Sequence, residues 1–184
     1  MAFTLDRFIS DLKEARKDGD GQAAVQGVLA RAVSEPGAML RELGEPAKGG
    51  ITPLYTDDAI SIFNVVWTPL MVLVPHNHLM WVTIGIYTGR EDNIVWRPDG
   101  ERIKAAGAAS ICEKDVFGLN RDAIHSVVNP INKLTGAIHV YGGDLTTAPG
   151  RNQWDAETLC PQPFDFEDTR EIFQEANARL GNGG

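Results

Sequence analysis

Cysteine, positive charge and long apolar runs are all scarce in this chain. Its two cysteines, Cys112 and Cys160, lie far apart in the sequence and form no C-x-x-C pattern. We interpret them as reduced, structural thiols. No apolar run reaches the roughly 20 residues that a membrane helix needs. The N-terminal segment mixes acids with bases and has no apolar stretch typical of a signal peptide. We therefore expect a cytoplasmic location and no membrane partner.

The charge balance argues against nucleic acid as a partner. Lysines and arginines number 17 against 25 aspartates and glutamates, which gives a formal net charge of -8. We find no basic stripe with interleaved aromatic residues, and phosphate backbones repel an acidic surface. The length of 184 residues predicts a single domain, 1–184, whose core needs no disulfide or structural metal.

The pattern along the chain predicts helices at both ends and strands between them. Residues 1–48 carry apolar side chains at helical spacing, and 164–180 predict a C-terminal helix. From 51 to 145, short apolar and β-branched runs alternate with turn signals, among them the hairpin turn RPDGER. Closely spaced runs of this kind predict an antiparallel sandwich or barrel.

The four histidines all lie in the predicted β region. His76 and His78 are two positions apart, so on a strand both side chains leave the same face. His125 and His139 lie in two further strand-like runs, and a small barrel brings inward-facing residues of different strands together. A lone histidine on a strand is more often a core or surface residue. The arrangement of all four favours a metal site, and three neutral imidazoles suit iron, zinc, copper or nickel.

Three segments carry a family resemblance: PHNHLMWVTIGIYTGRED, HSVVNP and GAIHVYGGDL. They resemble the cupin superfamily and, within it, the cysteine dioxygenase-like thiol dioxygenases. The resemblance covers 55–145 and implies a double-stranded β-helix, or jelly-roll, barrel with helices before it. It also implies that His76, His78 and His125 hold iron(II), while purified protein can carry zinc or nickel instead.

The same resemblance assigns roles beside the metal to His139 and Tyr141. The family motif is S-x-H-x-Y, and this chain has AIHVY, so Ala137 replaces the serine. Strand alternation places all three side chains on one face. We expect His139 to support Tyr141, whose hydroxyl would orient a substrate; the alternative is that Tyr141 is a core aromatic. His139 is not expected to bind the metal, because three ligands are already supplied.

The carboxylate and the cross-link of some family members are not expected here. Val82 and Thr83 stand where a cupin glutamate would follow the H-x-H pair. Glu91, the first acid downstream, is interpreted as a solvated turn residue. Thr83 also lies near the position of the cysteine that some members cross-link to the tyrosine, so we expect no such cross-link.

The substrate-binding arginine of cysteine dioxygenases is replaced by Asp57. An aspartate would repel a substrate carboxylate and remove its bidentate partner. One alternative is that Arg90, Arg97 or Arg121 takes this role. The other is that the substrate lacks a carboxylate and carries an amine.

The function predicted from this resemblance is that of a metal-dependent, non-haem iron(II) dioxygenase. It would oxidise a small thiol or related small molecule with O2, and it could form a homodimer through sheet edges. One alternative is another metal-dependent cupin enzyme, an isomerase or a hydrolase, because a three-histidine zinc site activates water. The other is a non-enzymatic cupin that binds a small ligand. The sequence leaves open the substrate, the metal, the oligomeric state and whether His139 binds the metal or only supports its neighbours.

Overall fold

A computed structural model of the chain describes residues 3–18 and 21–181, in which three helices precede eleven strands and a fourth helix follows. The helices are α1 (Leu5–Ala15), α2 (Gly21–Val33), α3 (Pro36–Leu43) and α4 (Phe166–Gly181). The strands are β1 (Gly50–Thr56), β2 (Ser61–Trp67), β3 (Val72–Asn77), β4 (Val82–Thr88), β5 (Arg90–Asp99), β6 (Arg102–Cys112), β7 (Val116–Leu119), β8 (Ile124–Val128), β9 (Thr135–Tyr141), β10 (Asn152–Trp154) and β11 (Pro161–Pro163).

The strands β2 to β9 form a jelly roll. Two antiparallel sheets have the strand orders β1-β2-β9-β4-β7 and β11-β10-β3-β8-β5-β6. Of the eight consecutive strands from β2 to β9, the first pairs with the eighth, the second with the seventh, the third with the sixth and the fourth with the fifth. This pairing is that of a long hairpin wrapped around a barrel, which is the double-stranded β-helix. The predicted fold class, mainly β with N-terminal helices and a C-terminal helix, is confirmed.

The strands β2, β4 and β9 of the first sheet are buried on both faces, which explains their nearly continuous apolar sequences. Side chains of β4 such as Ile84 and Ile86 point into the barrel. Their neighbours Tyr87, Ile138 and Val140 point outwards and pack against the helices. A strand covered on both faces gains from apolar residues at every position, so the alternation of a half-exposed strand is lost.

The N-terminal helices form one layer over the outer face of this sheet. Their buried side chains are Phe8 and Leu12 from α1, Val25 and Leu29 from α2, and Met39 from α3. Burial of large apolar side chains is the main favourable term in such packing, at about 1.5–3 kcal/mol for each. The layer therefore belongs to the same folded unit as the barrel.

The C-terminal helix covers an opening of the barrel. Phe173 and Ala176 of α4 belong to the interior cluster, and Phe173 stacks on Trp67 with ring centroids 5.4 Å apart. The Asn177 side chain accepts a hydrogen bond from the Gly49 amide at 2.7 Å and donates one to the Gly49 carbonyl at 3.0 Å. These contacts hold α4 against the segment that leads into β1.

Strand structure continues beyond residue 145, where the predicted β region ended. The short strand β10 pairs with β3, with Gln153 opposite His76, and β11 pairs with β10. Three-residue strands are too short to show an alternating pattern, so the sequence carried no signal for them. The RPDGER turn joins β5 to β6 as predicted, with Gly100 at a positive φ of 66°.

Two further expectations concern the surface of the molecule. Among the residues that the structure describes, no helix is both long enough and apolar enough to cross a membrane. The cytoplasmic location stays a prediction. The strand β6 lies at one edge of the second sheet and β1 at one edge of the first. The predicted homodimer, which would pair through such an edge, also stays a prediction.

Close packing of α2 on the sheet depends on Gly85. A Cβ atom at Gly85 would lie 2.6 Å from Cγ of Leu29, whereas one at Gly107 in β6 would meet no heavy atom of the described residues within 4 Å. We expect Gly85→Ala to lower the free energy of unfolding by about 1–3 kcal/mol through overpacking. Gly107→Ala, the matched control, should change it by less than about 0.5 kcal/mol. Urea unfolding curves measure both, and equal midpoints would contradict this account.

Candidate metal centre

Three histidines from neighbouring strands meet inside the barrel. His76 on β3 lies directly opposite His125 on β8, and His78 follows just after the end of β3. Their ring centroids are 4.6–5.0 Å apart. One nitrogen from each ring lies within 4.8 Å of the other two, and all three side chains are buried. The structure thus brings the three predicted ligands together as a group that could hold a metal ion.

The hydrogen bonds of two of these rings leave their Nε2 atoms free for a metal. Nδ1 of His76 lies 2.9 Å from the carbonyl oxygen of Val74, and Nδ1 of His125 lies 2.7 Å from Oδ1 of Asn93. Both oxygens only accept, so both Nδ1 atoms carry the proton. Nε2 of His125 is buried with no hydrogen-bond partner in the described part of the chain. A buried acceptor without a partner is costly, and a bound metal ion would satisfy it.

Burial also keeps these imidazoles neutral. It lowers the pKa of His76 to about 4, and it lowers the pKa values of His78 and His125 well below their ordinary value. Desolvation of the charged form is the main cause, and the neighbouring histidines add to it for His78 and His125. Neutral imidazole is the form that binds a metal, so the donor set fits a divalent cation.

His139 and Tyr141 lie beside the three histidines but outside the group. Among residues 3–18 and 21–181, only His76, His78 and His125 form such a group. Nδ1 of His139 lies 3.3 Å from the hydroxyl of Tyr141, whose ring centroid is 4.9 Å from that of His78. Burial raises the pKa of Tyr141, so its hydroxyl keeps the proton at neutral pH. The structure therefore places the ring of Tyr141 against His78 and its hydroxyl beside His139.

Glu91 is buried, and its interpretation as a solvated turn residue is wrong. Its side chain is 0% exposed, with Trp67 Nε1 donating a hydrogen bond to it at 2.7 Å and Asn93 Nδ2 at 2.8 Å. The turn ends earlier than expected, at Gly89 with a φ of 86°. The strand β5 therefore begins at Arg90, and alternation turns Glu91 and Asn93 inwards. Glu91 and Asn93 are two positions apart, and this strand-like spacing was the signal in the sequence that both side chains face the same way.

Arg151 is a residue of the site that the sequence interpretation missed. Its guanidinium carbon lies 3.8 Å from the ring centroid of Phe164 and 5.3 Å from that of Phe166. Arg151 donates hydrogen bonds to the carbonyl oxygens of Asn77 at 3.1 Å and of Leu145 at 3.4 Å. Burial lowers its pKa to about 10, so it stays cationic at neutral pH. No carboxylate of the described residues forms a salt bridge with it.

The arginines proposed from the sequence as substrate partners do not lie beside the three histidines. Arg90 forms a salt bridge with Asp92 at 2.8 Å. Arg121 is largely exposed and lies beside Asp122. Neither of them nor Arg97 is among the described residues that surround the histidines. Arg151 follows the last long strand, in a segment without an alternating pattern, so no periodic signal identified it.

Asp57 also lies away from the three histidines and has a structural role. Its carboxylate accepts hydrogen bonds from the hydroxyl of Tyr55 at 2.7 Å and from the amides of Ala59 and Ile60 at 2.9 Å each. These bonds close the turn between β1 and β2. The expectation that Asp57 would repel a carboxylate or bind an amine of the substrate is therefore wrong.

A single small cavity joins these groups. It has a volume of about 90 Å³, and its walls include the three histidines, Tyr141 and Arg151. The rest of the wall is mostly apolar and comes from both sheets and from the segment that leads into α4. Such a cavity suits a small ligand that reaches the histidines with one end and the guanidinium with the other.

No family model matches the chain, and no curated protein matches it. Among solved structures, it is similar to a conserved protein with a double-stranded β-helix domain from Klebsiella pneumoniae, at 11% identity and a TM-score of 0.47, over 60% of this chain and 90% of that one. An RmlC-like cupin from Methanocaldococcus jannaschii has 12% identity and a TM-score of 0.45, over 58% and 91% of the two chains. Oxalate decarboxylase from Bacillus subtilis has 13% identity and a TM-score of 0.43, over 52% and 24%. The function therefore has to be argued from the chain's own side chains.

Metal binding is the first property to test. We expect the wild-type protein to bind a stoichiometric amount of zinc or cobalt, and His125→Ala to weaken that affinity by more than about 100-fold, because a direct ligand is lost. Calorimetric titration of metal-free protein measures both. His139→Gln is the matched control and should keep the stoichiometry. An equal loss in both variants would contradict the assignment of His139 outside the group.

Proposed function

We propose that this protein is a metal-dependent dioxygenase that uses iron(II) and O2 to oxidise a small thiol bearing an anionic group. The observation that carries the proposal is one buried cavity with three neutral histidines and the unpaired cation of Arg151 in its wall. The balanced reaction is R–SH + O2 → R–SO2H, in which sulfur is oxidised and both oxygen atoms enter the product.

The donor set supports an anionic sulfur ligand. Three neutral imidazoles would leave the charge of a divalent metal uncompensated, which favours an anionic ligand in an open position. When bound, iron(II) would lower the pKa of a thiol and supply positions for sulfur and for O2. His76, His78 and His125 would hold that ion, and all three line the cavity.

Arg151 would hold the other end of the substrate. A guanidinium has five N–H donors, and two nitrogens of Arg151 already bind backbone carbonyls. The remaining donors can bind a carboxylate or similar anion. The ring of Phe164 holds the guanidinium plane in place, and the apolar surroundings strengthen its attraction for an anion. The substrate would thus be oriented with its thiol towards the histidines.

Tyr141 would contact the reacting end. Its ring packs against His78, and its hydroxyl lies 3.3 Å from Nδ1 of His139. In that position it can form a hydrogen bond with an atom bound at the metal centre. Because this hydroxyl remains protonated at neutral pH, it contributes orientation without adding a negative charge next to the metal.

Oxygen uptake by iron-loaded protein tests the reaction. Three thiols that share the HS–CH2–CH2 unit separate the substrate classes: 3-mercaptopropionate, cysteamine and 2-mercaptoethanol end in an anionic, a cationic and a neutral group. We expect kcat/KM for the carboxylate to exceed the other two by about tenfold or more, the value of one charge-assisted hydrogen bond. Iron-loaded protein that consumes no O2 with any thiol would reject the dioxygenase. Activity with zinc on ester or amide substrates would instead favour a hydrolase.

The role of Arg151 is tested by Arg151→Gln, which removes the charge and keeps much of the volume. We expect KM for the carboxylate thiol to rise about 10- to 100-fold, because a charge-assisted hydrogen bond is lost. KM for the neutral thiol should stay nearly constant. Arg121→Gln, an exposed site, is the control. Steady-state oxygen consumption measures KM for both thiols in the wild type and in both variants. An equal rise of KM for both thiols in Arg151→Gln would argue against an anion-binding role.

A further inference from the structure

One buried carboxylate, that of Glu91, connects the predicted ligand His125 with Tyr141 through neighbouring side chains. Oε1 of Glu91 accepts a hydrogen bond from Asn93 at 2.8 Å, and Oε2 accepts one from Trp67 at 2.7 Å. Oε2 also lies 3.3 Å from Nε2 of His139. Glu91 is not among the described residues that line the cavity. Any influence on a ligand therefore has to pass through these neighbours.

The hydrogen bonds around Glu91 form a network with two arms. The first arm leads through Asn93 to the ligand His125. As a carboxylate, Glu91 only accepts hydrogen bonds, so Asn93 must turn its NH2 group towards it. The amide oxygen of Asn93 then faces Nδ1 of His125 at 2.7 Å. That oxygen only accepts, so the proton of the imidazole has to sit on Nδ1. Nε2 of His125 is left with a free lone pair at the metal centre.

The second arm leads to Tyr141. Because Oε2 of Glu91 accepts, Nε2 of His139 must carry the proton. In the neutral ring Nδ1 of His139 is then an acceptor, and the hydroxyl of Tyr141, 3.3 Å away, donates to it. The phenol oxygen is left with its lone pairs for the cavity. Ala137, two positions before His139 on the same strand face, has no hydroxyl that could replace Glu91 as the partner of this imidazole.

We propose that Glu91 is a positioning residue that sets the tautomers of both His125 and His139, and thereby couples a metal ligand to the hydroxyl of Tyr141. The part of Tyr141 in this inference rests on the proposed function. The carboxylate is suited to the task because its two oxygens accept from separate donors at the same time. A neutral amide of the same shape has one acceptor and one donor, and it cannot serve both arms.

The tautomers of the wild-type protein are the first measurement. The chain has only four histidines. Heteronuclear NMR of metal-free protein labelled with nitrogen-15 at histidine therefore gives few ring signals, and variants that each lack one histidine assign them. Long-range couplings then report which ring nitrogen carries the proton. We expect Nδ1–H for His125 and Nε2–H for His139. The opposite tautomer at either ring would overturn the proposal, and this result needs no variant of Glu91.

Glu91→Gln then tests the coupling. Oε2 faces two donors and Oε1 one, so the new amide oxygen should take the Oε2 side and the NH2 group should face Asn93. Asn93 then has to turn over and donate to Nδ1 of His125, which moves the proton to Nε2. We expect His125 to change tautomer while His139 keeps its own, and zinc affinity to fall about 10- to 100-fold.

Glu101→Gln is the control for this substitution, because Glu101 lies exposed in the turn between β5 and β6. Its zinc affinity should stay within about twofold of the wild type. Unchanged tautomers and unchanged zinc affinity in Glu91→Gln would overturn the proposal. These measurements need only metal-free protein and zinc, so they do not depend on dioxygenase activity. Absent oxygen uptake with the expected tautomers would thus reject the dioxygenase and still support the positioning role.

Discussion

Polar groups sealed in an apolar barrel must bind one another or bind a ligand, and this constraint organises the whole interior. An unpaired buried donor or acceptor costs about 1–3 kcal/mol, and an unpaired charge costs more. Glu91 meets the constraint through N–H groups from three neighbouring side chains. Nε2 of His125 is left without such a partner among the described residues. The same requirement that stabilises the network thus leaves one acceptor for a metal ion.

The interior has a different electrostatic character from the rest of the chain. The protein has a formal net charge of -8, yet its cavity combines neutral imidazoles with the cation of Arg151. Aromatic rings and backbone carbonyls hold that cation in place of a carboxylate. Its charge therefore remains available to an incoming anion. A small anionic ligand is therefore attracted by the charge of Arg151 in the cavity, although the acidic surface of the protein repels it.

The elements outside the barrel contribute to this interior as well. The helix α4 packs Phe173 on Trp67, and the indole of Trp67 donates to Glu91. The position of a C-terminal helix thus influences the carboxylate that orients His125 and His139. On the other side of the first sheet, the N-terminal helices cover the outer face of β9, the strand that carries His139 and Tyr141. Both layers exclude water from the polar network, which strengthens its hydrogen bonds.

Local periodicity is what the sequence alone determined. The two-residue spacing of His139 and Tyr141 determined that these side chains share a strand face, because strand alternation is a property of the backbone. The tertiary structure decided that Glu91 is buried, that Arg151 lines the cavity and that Asp57 lies outside it. Each depends on where a turn ends or on which distant segment closes the barrel. Contacts between residues far apart in the chain arise from register and topology, and no local pattern encodes them.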